Sequence, residues 1–127
     1  MSINLLIVDD SASTRKVIER AARIAEPDIG ECHHASHGRE ALEILRQAWV
    51  DFIIVDLHMP EMDGRTLLHQ IRAVDMWRGI PIAVVTSERS DQTEAEVLAM
   101  GATTYQKKPL TPESLKQLFD ILKARMK

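Results

Sequence analysis

The chain has 127 residues, 45% hydrophobic and 28% charged, with a net charge of −3. That suffices for one domain around one core, and without a basic stripe nucleic acid is excluded as a direct partner. No apolar run approaches a bilayer span, no basic-then-apolar leader opens the chain, and the lone Cys32 excludes an internal disulfide. A single domain over 1–127, cytoplasmic and not membrane-bound, is expected.

Residues 3–8 are an apolar run that reads as a buried strand and ends in Asp9-Asp10. From 13 to 25, Val17, Ile18, Ala21, Ala22 and Ile24 recur at helical spacing, and Pro27 stops the run. Residues 30–35 form a polar second strand suited to a sheet edge. A second helix over 38–49 carries Ala41, Leu42, Ile44 and Leu45. The third strand, 51–55, is the most apolar and leads into Asp56, and a helix over 64–73 follows. Pro81 opens a fourth strand over 82–85, followed by Thr86-Ser87. Asp91-Gln92-Thr93-Glu94 has the form of a capping box before a helix reaching Met100, with Gly101 closing it. Residues 103–107 are a fifth strand. Thr111 then caps a last helix with Pro112 at its first position and Leu115, Leu118, Phe119 and Leu122 inward.

Alternating β and α segments with short loops predict an α/β fold, a flavodoxin-like doubly wound (βα)5 domain. Its five-stranded parallel sheet has the order 2-1-3-4-5. In such sheets ligands lie outside the carboxyl ends of the strands, where the strand order reverses. Strands one and three flank that point, so Asp9, Asp10 and Asp56 are expected to meet there. Asp9 or Asp10 alone is explained equally well as a helix cap. Three acids at two converging strand ends are not, because crowded like charges raise a pKa or demand a cation. A hard divalent ion, magnesium (or manganese), suits an all-oxygen cluster. Strand four brings the Thr86 hydroxyl to the same edge, and strand five the Lys108 ammonium. Such a set handles phosphate: a carboxylate can attack phosphorus, while cations and a hydroxyl meet the phosphoryl oxygens.

The Asp9-Asp10 pair, the run Asp-x-x-Met-Pro-x-Met-Asp-Gly from Asp56 to Gly64, Thr86, Tyr105 and Lys108-Pro109 occur in that order on those elements. In them the whole chain resembles the response-regulator receiver domains of two-component signalling, some of which underlie the strand-end rule itself. The resemblance implies that Asp56 accepts phosphate from a histidine kinase or histidine phosphotransfer protein. It implies metal contacts from Asp10 directly, from Asp9 through water, and from the backbone carbonyl of His58. Lys108 would contact the phosphate, with a cis bond to Pro109. Thr86 would move toward the phosphate and Tyr105 swing inward, changing the face of the fourth helix, fifth strand and fifth helix for a downstream protein target. Such a protein signals rather than turning over a substrate, and assists only its own phosphorylation and dephosphorylation.

His58 and Glu88 are expected at the mouth of the site, governing water access and phosphate lifetime. Arg15, Lys16, Val17 and the loop after Pro109 are expected to select the kinase. A monomer is expected, with a phosphorylation-linked dimer as the alternative, and Met1 and the finish soon after the last helix point to a stand-alone receiver. Cys32-His33-His34 with His37 invites a zinc reading, but strand alternation sends His33 and His34 apart and the spacing fits no standard site. Three rivals are weaker, the first a degenerate receiver working only as a binding module, which the intact acid, hydroxyl and lysine set argues against. A flavin carrier would need a Ser/Thr/Gly-rich loop where Asp9-Asp10-Ser11 stands, and a dehalogenase-type phosphatase would need Asp-x-Asp after its first strand.

Overall fold

The computed structural model describes residues 2–59, 61–87 and 90–125. Strands β1 (Ile3–Val8), β2 (Ile29–Ala35), β3 (Phe52–Asp56), β4 (Ile82–Thr86) and β5 (Thr104–Lys107) form one parallel sheet in the order β2-β1-β3-β4-β5. The helices are α1 (Ala12–Ala25), α2 (Gly38–Gln47), α3 (Gly64–Arg72), α4 (Asp91–Ala99) and α5 (Pro112–Ala124), with a short 3-10 turn at Asp75–Trp77. The predicted fold class is the observed one.

The unbroken apolar runs of β1, β3 and β4 follow from burial on both faces. Leu5, Ile7, Phe52, Ile54, Ala83 and Val85 pack with α1 and α5, where Phe52 stacks on Phe119 with ring centroids 5.8 Å apart. Leu6, Val8, Ile53, Val55, Ile82 and Val84 face the other way, onto α2, α3 and α4. The edge strand β2 is the polar one, with residues 30–34 only partly buried or exposed. No helix among the described residues is long and apolar enough to cross a membrane.

Several boundaries differ from the sequence reading. The α4 cap is Ser90, whose hydroxyl accepts from the Thr93 N–H at 3.3 Å, so Asp91 is the first helical residue and not a cap. Helix α2 stops at Gln47, leaving Trp49 76% exposed and hydrogen-bonded to Asp51. His37 supplies the α2 cap, its Nδ1 accepting from the Glu40 N–H at 3.2 Å. Ser11, and neither Asp9 nor Asp10, caps α1. Thr111 caps α5 as expected, in a reciprocal box with Ser114.

Candidate functional site

The carboxyl ends of β1 and β3 are neighbours, Val8 pairing with Val55, so the acids that follow converge. Carboxylate oxygens of Asp9, Asp10 and Asp56 all lie within 4.8 Å of one another. Asp9 and Asp56 are buried and Asp10 is exposed, so the cluster opens to solvent on one side. Asp9 is held from several directions. Its Oδ1 accepts from the Ser11 N–H at 2.9 Å, its Oδ2 from Lys108 Nζ at 2.7 Å, and its carbonyl from Arg15 at 2.6 Å. Arg15, expected only as a kinase-facing residue, thus also braces the acid loop.

Lys108 Nζ lies 3.5 Å from Asp56 Oδ1. The Lys108–Pro109 bond is cis, and the Lys108 N–H donates to the Thr86 carbonyl at 2.8 Å, which ties the ends of β4 and β5 together. Burial alone would lower the Lys108 pKa, but its hydrogen bond to Asp9 and the charges of Asp56 and Asp9 raise it above the ordinary lysine value. Burial pushes the Asp56 carboxyl up. Lys108 opposes that, Asp9 adds to it, and a hydrogen bond from the His58 N–H pulls back, leaving it above the usual carboxylate range.

Gly64 was not singled out from sequence as a site residue, yet the turn depends on it. A Cβ there would stand 2.7 Å from the Asp56 carbonyl oxygen and 2.8 Å from Leu57 Cα, both backbone atoms. Asp63 caps α3 by accepting from the Thr66 N–H at 2.9 Å. The Asp63-Gly64 pair thereby brings the start of α3 tightly against the end of β3, and a glycine following an N-cap residue was its readable signal.

Thr86 is fully buried at the end of β4. Tyr105 lies inward, 4% exposed, with its hydroxyl accepting from the Ser90 N–H at 3.3 Å. It therefore links β5 to the start of α4 and does not point its hydroxyl into water. The His58 side chain is exposed at the rim. Glu88, expected opposite it, lies outside the described residues. His33 and His34 do face opposite ways: His34 pairs with Ile7, on the α1 side, and His33 with Leu6, on the α2 side.

The donor set suits a hard divalent cation. Every side-chain donor is a carboxylate oxygen, and three carboxylates less one ammonium leave two negative charges.

A family profile for the response regulator receiver domain matches residues 5–120. The chain belongs to that family. It is 35% identical over 122 residues to the chemotaxis protein CheY1 of Helicobacter pylori, covering 94% of this chain and 96% of that one. It is 37% identical over 123 residues to the CheY homologue of Campylobacter jejuni, covering 94% and 92%. Among solved structures, the chemotaxis response regulator CheY4 of Vibrio cholerae superposes with a TM-score of 0.86 at 33% identity, over 96% of this chain and 99% of that one. The protein is a CheY-type receiver domain, a phosphoacceptor module of two-component signalling, and receiver domains generally bind magnesium at an acidic pocket.

Proposed function

We propose that Asp56 takes a phosphoryl group from a histidine kinase or histidine phosphotransfer protein, and that the modified domain binds a downstream protein target. The observation that carries this reading is the buried Asp56 carboxyl, within one cluster with Asp9 and Asp10 and 3.5 Å from Lys108 Nζ. A carboxylate whose pKa is raised by burial is a more basic nucleophile than one in water. An Asp56 oxygen attacks phosphorus, the P–N bond of the phosphohistidine breaks, and a proton is taken up by the departing imidazole. Lys108, already beside Asp56, follows the charge onto the phosphoryl oxygens, and the Thr86 hydroxyl donates to one of them.

Magnesium or manganese would be held by Asp9, Asp10, Asp56 and the His58 carbonyl, and it would supply charge neutralisation at the phosphoryl oxygens. The readout is a population shift on the α4-β5-α5 face. Movement of Thr86 would favour the inward Tyr105 position and with it the hydrogen bond that starts α4 at Ser90. Leu98 and Ile121, each 42% exposed, offer that face apolar contact area. An apolar groove lined by Thr14, Val17, Ile18, Pro109 and Leu110 supports donor docking beside the acid cluster. His58 and Glu88 would set phosphate lifetime, so His58→Asn should lose phosphate at a rate different from wild type. The protein would act in the cytoplasm.

Incubation with acetyl phosphate and magnesium, followed by intact-mass measurement, tests the reading. Wild type should gain one phosphoryl mass, and Asp56→Asn none. An unmodified wild type, or a modified Asp56→Asn, overturns it.

A further inference from the structure

The second cluster of metal-ligating side chains lies on the flank where α1 covers the edge strand β2, with the Arg15 guanidinium between it and the acid rim. Cys32 and His34 are two residues apart on β2, and strand alternation puts both on the α1 side. Glu19 comes down from α1 to meet them. One donor atom from each, a thiol sulfur, an imidazole nitrogen and a carboxylate oxygen, lie within 4.8 Å of one another. All three residues are partly exposed, so the cluster has a wall of protein on one side and an open approach on the other.

We propose that Glu19, Cys32 and His34 bind a zinc ion, with water in the fourth position. The ligand types carry the choice of metal. Sulfur, nitrogen and oxygen together suit a borderline ion such as zinc and are wrong for magnesium, which takes oxygen alone. Charge closes as well, because a thiolate, a carboxylate and a neutral imidazole exactly offset two positive charges. Tetrahedral zinc sets nitrogen and oxygen ligands about 3.3 Å apart, whereas His34 Nε2 and Glu19 Oε1 are now hydrogen-bonded at 2.6 Å. The pair must open by several tenths of an ångström, within the reach of a glutamate rotamer.

The metal-free cluster is a closed hydrogen-bond relay, and this sets what binding must displace. Arg15 Nε donates to His34 Nδ1 at 3.3 Å, so the imidazole proton sits on Nε2 and goes to Glu19. Arg23 Nε donates to the other Glu19 oxygen at 2.9 Å. Burial and the neighbouring Glu19 carboxylate hold the Cys32 thiol protonated, its pKa pushed up to about 12. Binding therefore releases the thiol proton to solvent and moves the imidazole proton from Nε2 to Nδ1. That Nδ1–H then faces the Arg15 Nε–H, and Arg15 turns off His34 while keeping its separate bond to the Asp9 carbonyl. Arg23 stays on the free Glu19 oxygen as an outer hydrogen bond. Two guanidiniums nearby weaken the site and the proton release makes its affinity rise with pH, but Arg15 contacts the imidazole nitrogen and Arg23 the carboxylate oxygen that are not the proposed ligands.

Cobalt(II) takes tetrahedral zinc sites and reports thiolate ligation by a charge-transfer band. The metal-stripped full chain, with excess magnesium to fill the acid rim, is titrated with cobalt and then back-titrated with zinc. The expected result is one equivalent of cobalt with a thiolate band that zinc abolishes. The band should be absent in Cys32→Ser. Affinity should fall more than about a hundredfold in His34→Gln and Glu19→Gln, beyond the about 10–100-fold that outer-shell residues cost. Asp10→Asn, which cripples only the rim, should leave the spectrum unchanged. A wild type without the thiolate band overturns the proposal whatever the variants do. So does a band that survives in folded His34→Gln and Glu19→Gln at undiminished affinity.

Discussion

The acid rim and the β2 flank are both clusters of three ligating side chains, yet they balance charge in opposite ways. At the rim, two of three carboxylates are buried and one lysine faces them, so negative charge is left over. At the flank, the Glu19 carboxylate is matched in charge by Arg23 and hydrogen-bonded by the neutral His34, and every partner is partly in water. The rim is held largely by backbone, through paired strand ends, the Lys108 N–H bond to the Thr86 carbonyl and the Gly64 approach. The flank joins β2 to α1 through side chains, with Arg23 anchored on the Ile29 and Gly30 carbonyls. Electrostatics should therefore be costly to disturb at the rim and cheap at the flank, because solvent screens the second and not the first.

Lys108→Met is the largest test of that difference. Asp9 is almost wholly buried, and removing the ammonium 2.7 Å away leaves its charge without a counter-ion. We expect a loss of about 3 kcal/mol or more by denaturant unfolding in chelator at neutral pH. The sign follows from the raised Lys108 pKa. Its contribution is complete below the ordinary lysine value of 10.5 and disappears as pH rises through the higher folded value. The deficit of the variant should hence be flat from neutral pH to about pH 10 and shrink above it. Magnesium should also narrow it.

Gly64→Ala tests whether backbone closeness holds the rim. Neither atom that the new methyl meets can swing aside as a side chain could, so we expect about 1–3 kcal/mol of destabilisation. Slower phosphorylation by acetyl phosphate should accompany it. Normal stability in this variant would mean that the β3–α3 turn has slack and that the rim is not backbone-built.

That turn also marks how far sequence alone reaches. The acids and Thr86 were legible because each ends or follows an apolar strand run, and Lys108 because it follows the fifth strand directly; strand ends in a parallel sheet share one edge. The alternation of Cys32, His33 and His34 was legible for the same local reason. Glu19 was not legible as their partner, because it sits 13 residues earlier on a helix whose rotation about its axis is set by packing. The α4 cap was misplaced by one residue, since both Ser90 and Asp91 are good caps and only the backbone at Ser90, extended at φ −138° and ψ 131°, decides between them. The end of α2 ran two residues long because no breaker follows Gln47 in the sequence, and only the extended backbone at Ala48, φ −133° and ψ 152°, ends the helix there.

Asp56→Asn moves stability the other way. Its carboxyl pKa is raised in the folded state, so the ionised group opposes folding: stability is fullest below the unfolded carboxyl value and falls as pH rises through the folded one. Removing the charge should stabilise the metal-free protein at pH 7 by about 1 kcal/mol, a few degrees in Tm. The gain should vanish near pH 3. Magnesium should reverse the order, stabilising wild type more than the variant. A destabilised Asp56→Asn in chelator would show that Lys108 outweighs burial and Asp9 together.

Glu19→Gln is the smallest and the sharpest for the flank. Burial would raise the Glu19 pKa, but hydrogen bonds from His34 and Arg23 and the Arg23 charge lower it overall. A lowered carboxyl pKa contributes stability above the unfolded value of 4.5, lost as pH falls through the folded one. The Glu19 and Arg23 side chains are 29% and 43% exposed, so solvent discounts the charge strongly. We expect the variant to cost no more than about 0.5–1 kcal/mol at pH 7 in chelator, to match wild type near pH 3, and to lose less in high salt. A cost of several kcal/mol would mean that this carboxylate is held as tightly as Asp9 is. The contrast between a buried rim with excess charge and a solvated flank would then fail, and with it the reason for expecting a transition metal to displace the relay at all.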